Sequence, residues 1–590
     1  MNRRLHFVPV SAGFAAVAGL VAALHSAPAS ACGGTFCDAG PQGMPVDQTG
    51  ENIIFAFNGT TVEVHIQIAY DPNTDASKFS WIVPVQALPK FYVGSQLLFD
   101  NVLNGTVPFY GLTTTNEFCG DGGSTGGSGT SGASSGSASD GETGGGGGGP
   151  DVVFSDQVGA FEVVVLKGGT AQEVLDWLAA NGYQQPPETG PIIQEYLDEG
   201  SLFAAFKLLP GAEPVVHPVI FEYEGAEPCV PIRLTRVAAK EDMDIRVFFL
   251  GDHRAVPTNY RHVLVNPLKI DWPAFGANYK EVITAAVDAF KAEGNAFVTE
   301  YAGPSGVISQ NGLWSVSWSA ADFMGLPVIE VANTLMAQGL LFCDEYELQC
   351  YFNHPLLGGL VDAYVPTPDG IAPYDFLTCM SCYEGMIDAG LWGDGSAFAA
   401  DFSERIVVPG QRAWNLLQTK PYVTRMYTTI SPQEMMADPV FAENPDLPAI
   451  PSQRFAQRYV RCDGHAEYTL PDGRVVFVPN NGPWPDFQAE MPWEEETSQM
   501  AMAGAPQVLQ SNTALIDDLL AQWNQQNTPA GTTGGTEGTG GSSGSSGSGS
   551  GGADTETGGC GCRAEGGDGS LAALGLLGLW GVGRRRRGLA

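Results

Sequence analysis

NIIFAFNGTTVEVHIQIAY, residues 52–70, reads as two strands folded back on one another. Asn58-Gly59 is a pair that tight hairpin turns favour, because both central positions of a type I′ turn need positive φ. After the turn, Val62, Val64, Ile66 and Ile68 alternate with Glu63, His65 and Gln67. A period of two gives one apolar and one polar face. The reading is an antiparallel hairpin with its valines and isoleucines in a core and its polar residues in water. His65 is then a solvated residue.

The same pattern extends outward. FSWIVPV (79–85) is a third strand, and DVVFSDQVGAFEVVVL (151–166) holds two more. TAQEVLDWLAANGY (170–183) is helical: Thr170 and Glu173 form a capping box, and Asn181-Gly182 ends it. LFAAFKLLP, PVIFEY, PIRLTRV and DIRVFFL follow as strands between residues 202 and 250. From Tyr279 the balance shifts towards helix, as in YKEVITAAVDAFKAEG, and AEYTLPDGRVVFVP (466–479) is a late hairpin turning on Pro471-Asp472-Gly473. Strands and helices segregate more than they alternate. The expected fold is therefore α+β, with a largely antiparallel sheet core and packed helices.

At 590 residues, of which 44% are hydrophobic, the chain can bury a large core. Acids outnumber bases 65 to 28, a formal charge of −37. Backbone recognition of nucleic acid needs clustered Lys and Arg, so that class of partner is excluded. The acidity suits the solubility of an exported protein. Residues 1–31 have the three parts of a secretory signal: Arg3 and Arg4, an apolar stretch from about Phe14 to Leu24, and small residues up to Ala31. Cleavage there would leave Cys32 first. That invites lipidation, although Ala29 stands where a lipoprotein would carry Leu.

Two Gly/Ser/Thr tracts, residues 120–150 and 526–559, cannot bury enough surface to offset the entropy of ordering. The first is read as a disordered loop inserted in a β-rich part, 32–310. A more helical continuation, 311–525, follows, and the second tract is a flexible tether to a terminal segment, 560–590.

Export makes disulfides the expected state of the 11 cysteines. Cys343 with Cys350 and Cys379 with Cys382 are the local pairs, and Cys32 with Cys37 could close a small loop. Cys119, Cys229 and Cys462 need distant partners. Zinc at Cys343, Cys350, His354 and the lone CxxC would require a spacing that no common zinc module has. DPNTDASKF places Asp71, Asn73, Asp75 and Ser77 like the start of a calcium loop, but Ala76 stands where the turn wants Gly and Ile82 where a Glu should ligate. No HExxH or phosphate-binding Gly loop occurs, and GxSxG is absent outside the two tracts. His253, between Asp252 and Arg254, is a possible acid–base group or part of a loop ion pair. No catalytic residue and no cofactor is assigned.

The tail SLAALGLLGLWGVGRRRRGLA (570–590) has an apolar run of about 18 Å as a helix, short of the ~30 Å a membrane core needs. Arg584, Arg585, Arg586 and Arg587 mark a cytoplasmic stop. With Cys560 and Cys562 upstream and a Gly/Ser tether before them, the segment resembles the MYXO-CTERM sorting signal of exported myxobacterial proteins. That resemblance implies an export machinery and a sorting protease as partners, tail removal, modification at Cys560 or Cys562, and surface display. A retained inner-membrane anchor is the alternative.

The body also resembles a known family. ACGGTFCDAGPQGMPVDQTGENIIFAF, FSWIVPVQALP, NEFCG, VGAFEVVVLKGG, WLAANGY, PIRLTRVAAKEDMDIRVFFLGDHRAVPTNY and FVTEYAG follow in the order seen in exported bacterial proteins of the DUF2330 type. The resemblance spans about residues 32–303 and implies an exported location but no activity. The expected function is a surface-displayed, non-catalytic binding or envelope protein of unknown ligand. The alternatives are an exported hydrolase whose site assembles from distant residues, and an inner-membrane-anchored periplasmic scaffold.

Overall fold

The computed structural model describes residues 35–37, 48–58, 60–67, 79–118, 150–183, 188–209, 217–224, 228–237, 239–487 and 490–528. Of the strands at 35–37, 48–50 and 79–80, only the backbone is described. The two ends of the chain, most of both low-complexity tracts, Cys32, Cys119, the candidate calcium residues Asp71, Asn73, Asp75 and Ser77, and the tail with Cys560, Cys562 and Arg584 to Arg587 lie outside the described residues.

The hairpin read from residues 52–70 forms, with Asn58 opposite Thr61 and Phe55 opposite Val64. It lies inside a ten-stranded sheet, antiparallel except for the pairings of Ala239–Gly251 with Gln48–Asn58 and of Arg261–Val265 with Ala296–Pro304. A second sheet of five strands, all antiparallel, stacks on it and contains Phe79–Val85, Asp151–Val158, Phe161–Lys167 and Leu202–Leu208. Phe55, Val64, Val247 and Phe249 from the large sheet meet Trp81, Val163, Val165 and Phe206 from the small one in a shared core. The Trp81 ring lies 4.9 Å from Phe206, its partner on the neighbouring strand, and 5.9 Å from Phe221 across the interface.

Both outer faces are covered as well. Helices Ala171–Ala180 and Thr189–Asp198 bury Ile82, Val164, Leu166, Phe203 and Ala205 of the small sheet. Helices Gln96–Thr106 and Val408–Thr419 bury Ile54, Ala56, Phe248 and Leu250 of the large one. The result is four layers, helix on sheet on sheet on helix, and an α+β fold with mainly antiparallel sheets. Strands covered on both sides need apolar residues at consecutive positions, which is why IIFAF, RVFFL and LFAAF do not alternate.

This layering corrects the reading of the hairpin's polar face. Glu63 is 4% exposed and His65 1% exposed. Their face is roofed by helix Val408–Thr419, whose Arg412 donates from Nε and Nη2 to the two Glu63 oxygens at 2.9 and 2.8 Å. His65 Nε2 lies 2.8 Å from Glu63 Oε1. The alternation is real, but the polar side is a buried ionic layer.

Two local readings also change. PIRLTRV is not a strand: Pro231 starts a single helical turn, Ile232–Thr235. The helix beginning at Tyr279 ends at Val287, where the Gly294 amide returns to the Val287 carbonyl at 2.9 Å. The capping box of Thr170 and Glu173 and the hairpin at Ala466–Thr469 and Val475–Val478 form as read.

Between strands Ala296–Pro304 and Tyr422–Ile430, neighbours in the large sheet, the chain builds a helical module with its own core around Leu335, Leu357, Phe376, Phe398 and Phe402. Its neck is tied where Ser305 donates from N to the Pro421 carbonyl (2.9 Å) and from Oγ to the Lys420 carbonyl (2.6 Å). The expected disulfides Cys343–Cys350 and Cys379–Cys382 form within this module. Cys462 is also disulfide-bonded.

Candidate functional site

Where the small sheet ends, the sandwich opens. Thr35–Cys37 pairs only with the first half of strand Phe79–Val85, so Val83 to Val85 form a free edge among the described residues. Behind that edge lies a cavity of ≈ 360 Å³, within the usual range of small-molecule sites. Val64, Ile66, Phe221 and Tyr223 of the large sheet and Val83 and Val85 of the small one give it apolar walls.

Its mouth is polar and is built from three further elements. Tyr196 and Glu199 come from the end of helix Thr189–Asp198, Arg233 from the single turn Ile232–Thr235, and Asp438 from the segment after strand Tyr422–Ile430. Arg233 donates from its backbone N to Asp438 Oδ1 (3.0 Å) and from Nε to Oδ2 (3.1 Å). The Tyr196 hydroxyl donates to the same carboxylate, 2.8 Å from Oδ2. On its other edge the guanidinium donates from Nη1 and Nη2 to the two Glu199 oxygens at 2.7 and 2.6 Å. Its plane sits 4.1 Å from the centre of the Tyr196 ring, a cation–π contact.

The two carboxylates differ in kind. Burial raises Asp438 above its ordinary pKa and outweighs the hydrogen bonds from Arg233 and Tyr196 that favour its charge. Hydrogen bonds from Arg233 lower Glu199, whose side chain is 51% exposed. The Tyr196 hydroxyl is pushed up by burial and by Asp438. Asp438 is thus a buried anchor that fixes the arginine, and Glu199 is its surface partner. Every polar group in this set binds or orients another, an arrangement that can hold a ligand's polar end against apolar walls.

A larger groove of ≈ 860 Å³ runs between strands Lys90–Val93 and Asp151–Val158 and the π-turn Ser403–Val407. Its arginine, Arg412, is already committed to Glu63 and, at 2.6 Å, to Glu222.

None of the histidines weighed from the sequence enters the cavity. His253 is exposed on a turn, where its backbone N and that of Asp252 donate to Glu443 Oε1. Arg254 turns inward to the Pro448 carbonyl and the Thr299 hydroxyl. His354 is buried near Trp318, and burial lowers its pKa to about 4. Among the described residues no group of three or more His, Cys, Asp or Glu could hold a metal ion, and no helix is long and apolar enough to cross a membrane. Cys229 lines the cavity. The residues that sequence reading missed are Arg233, Asp438, Glu199 and Tyr196. Reading PIRLTRV as a strand hid the first of them.

Neither a curated protein nor a solved structure matches the chain. The family of uncharacterized proteins conserved in bacteria, DUF2330, matches residues 26–324, half of the chain, and the chain belongs to that family.

Proposed function

We propose that this is an exported, surface-displayed binding protein whose inter-sheet cavity takes a small ligand with an apolar body. The cavity carries the reading: apolar walls from both sheets end at an arginine fixed by Asp438 and Tyr196. Its carboxylates are saturated by that arginine, so the mouth is suited to binding and orienting rather than to moving protons. Export is supported by the signal-like residues 1–31 and by two disulfides that an oxidising compartment would preserve. Display is supported by the tail, with a sorting protease acting near Cys560 or Cys562. Native mass spectrometry of protein taken from a host with its own sorting machinery tests both parts. The expected mass lacks residues 1–31 and the arginine tail, with a small-molecule adduct that disappears in Val85→Trp. A chain ending at Ala590 would refute sorting, and an adduct insensitive to Val85→Trp would refute the cavity as the site.

A further inference from the structure

The polar rim is not symmetric about Arg233, and that asymmetry points to the class of ligand. One edge of the guanidinium is held by Asp438, a buried carboxylate that also receives the Arg233 backbone amide and the Tyr196 hydroxyl. That edge cannot be released without leaving a buried acid short of its donors. The other edge donates from Nη1 and Nη2 to the two Glu199 oxygens, with Asp438 Oδ2 also 3.0 Å from Nη2 and Glu195 further off, 3.7 Å from Nη1.

Glu199 is badly placed for an acid. It caps the C-terminus of helix Thr189–Asp198, where the helix dipole is negative, and Asp198 precedes it directly. Glu195 lies one turn back, a like charge on the same face. Its side chain is 51% exposed, so on leaving Arg233 it would regain hydration, whereas the Arg233 side chain, 12% exposed, would need another anion in its place. Glu199 therefore occupies the arginine's open edge without being fixed there.

We infer that the cavity's ligand is a small apolar carboxylic acid, whose carboxylate replaces Glu199 on the outer edge of Arg233 while its hydrocarbon part lies between Val64, Ile66, Val83 and Val85. This deepens the proposed function and rests on it. The exchange leaves the charge count at the guanidinium unchanged, one carboxylate for another, and it keeps the bidentate geometry that an arginine offers a carboxylate. The acidity of the whole chain does not forbid an anionic ligand, since charges beyond about 8–10 Å are largely screened at physiological salt.

The test measures binding of hexanoate, octanoate and decanoate, and of the alcohols of the same lengths, to the exported protein by calorimetry. Wild type is compared with Glu199→Gln, which changes only an exposed side chain, and with Val85→Trp, which fills the apolar end. In Glu199→Gln the acids should gain about fivefold in affinity relative to the alcohols of the same length, because the competing carboxylate is gone. Val85→Trp should weaken both series. If Glu199→Gln leaves the ratio of acid to alcohol affinity where it was, the carboxylate assignment is wrong while the cavity reading stands. If neither series binds wild type, or Val85→Trp changes nothing, the cavity reading falls and the assignment with it.

Discussion

Replacing Arg412 by Met should destabilise the protein by about 3 kcal/mol, because it strips a buried carboxylate of its cation. Glu63 is 4% exposed and receives two hydrogen bonds from Arg412 and one contact from His65. Breaking a buried pair by removing one member costs about 3–5 kcal/mol. The low end applies here, since His65 stays and the Arg412 side chain is itself a quarter exposed. Methionine keeps an apolar stem over Tyr92, so the loss of packing is small. In Glu63→Gln/Arg412→Met the buried charge goes with its cation and Glu222 keeps Lys90 at 3.2 Å, so the double variant should recover about 1–2 kcal/mol of the loss. Acid provides a second reading. Burial alone would raise Glu63, but His65 and Arg412 more than offset it and hold the carboxyl at about 2. The stability it contributes is complete above its ordinary value of 4.5 and is lost as the pH falls towards 2. Arg412→Met removes a main cause of that depression, so the gap to wild type should be widest near neutral pH and should close below 4.5. Urea unfolding between pH 3 and 7 measures both effects. A double variant no better than the single one, or a gap independent of pH, would refute the reasoning.

Two further outcomes are expected. His217 is fully buried, with its Nε2 accepting from the Ala160 amide, and burial holds its pKa down to about 4. Between pH 6.5 and 4 the unfolded chain takes up a proton that the native one refuses, so stability falls as the pH drops through that window. His217→Gln should flatten the slope by about 1.4 kcal/mol per pH unit, and parallel curves for the two proteins would contradict this. Replacing Cys343 and Cys350 together by Ser frees a loop of sequence separation 7 and should cost about 2 kcal/mol in the chain-entropy model. The loss should appear first in hydrogen exchange around Leu335 and Phe376, and unchanged exchange there would show that the bridge does not support the module's core.

What could be read from sequence was local. The capping box at Thr170, the hairpin at Pro471 to Gly473, and cysteines 7 and 3 positions apart each announce themselves within one turn or loop. His65 did not, because alternation reports only that a strand has two unlike faces. Whether the polar face meets water or a helix depends on Arg412, 349 positions from Glu63. PIRLTRV failed for a related reason. Its alternating pattern suits a strand, yet Pro231 and the pull of Asp438 on the Arg233 amide make it a helical turn. The candidate site itself was out of reach, since Arg233 and Asp438 are 205 positions apart and neither sits in a motif.

That separation also bears on what the family segment can do. Tyr196, Glu199 and Arg233 lie inside residues 26–324, whereas Asp438 lies beyond them. So does strand Tyr422–Ile430, which sits between Ala239–Gly251 and Ala296–Pro304 in the large sheet. Without it those two strands of the family segment would face a gap in the middle of the sheet, with their inner backbone groups unpaired. The same later stretch that closes the sheet then delivers Asp438 to the back of Arg233. In this chain the fold of the family segment and the orientation of its arginine depend on one returning strand. The cavity of this chain is therefore built by the region after residue 324 as well as by the matched half.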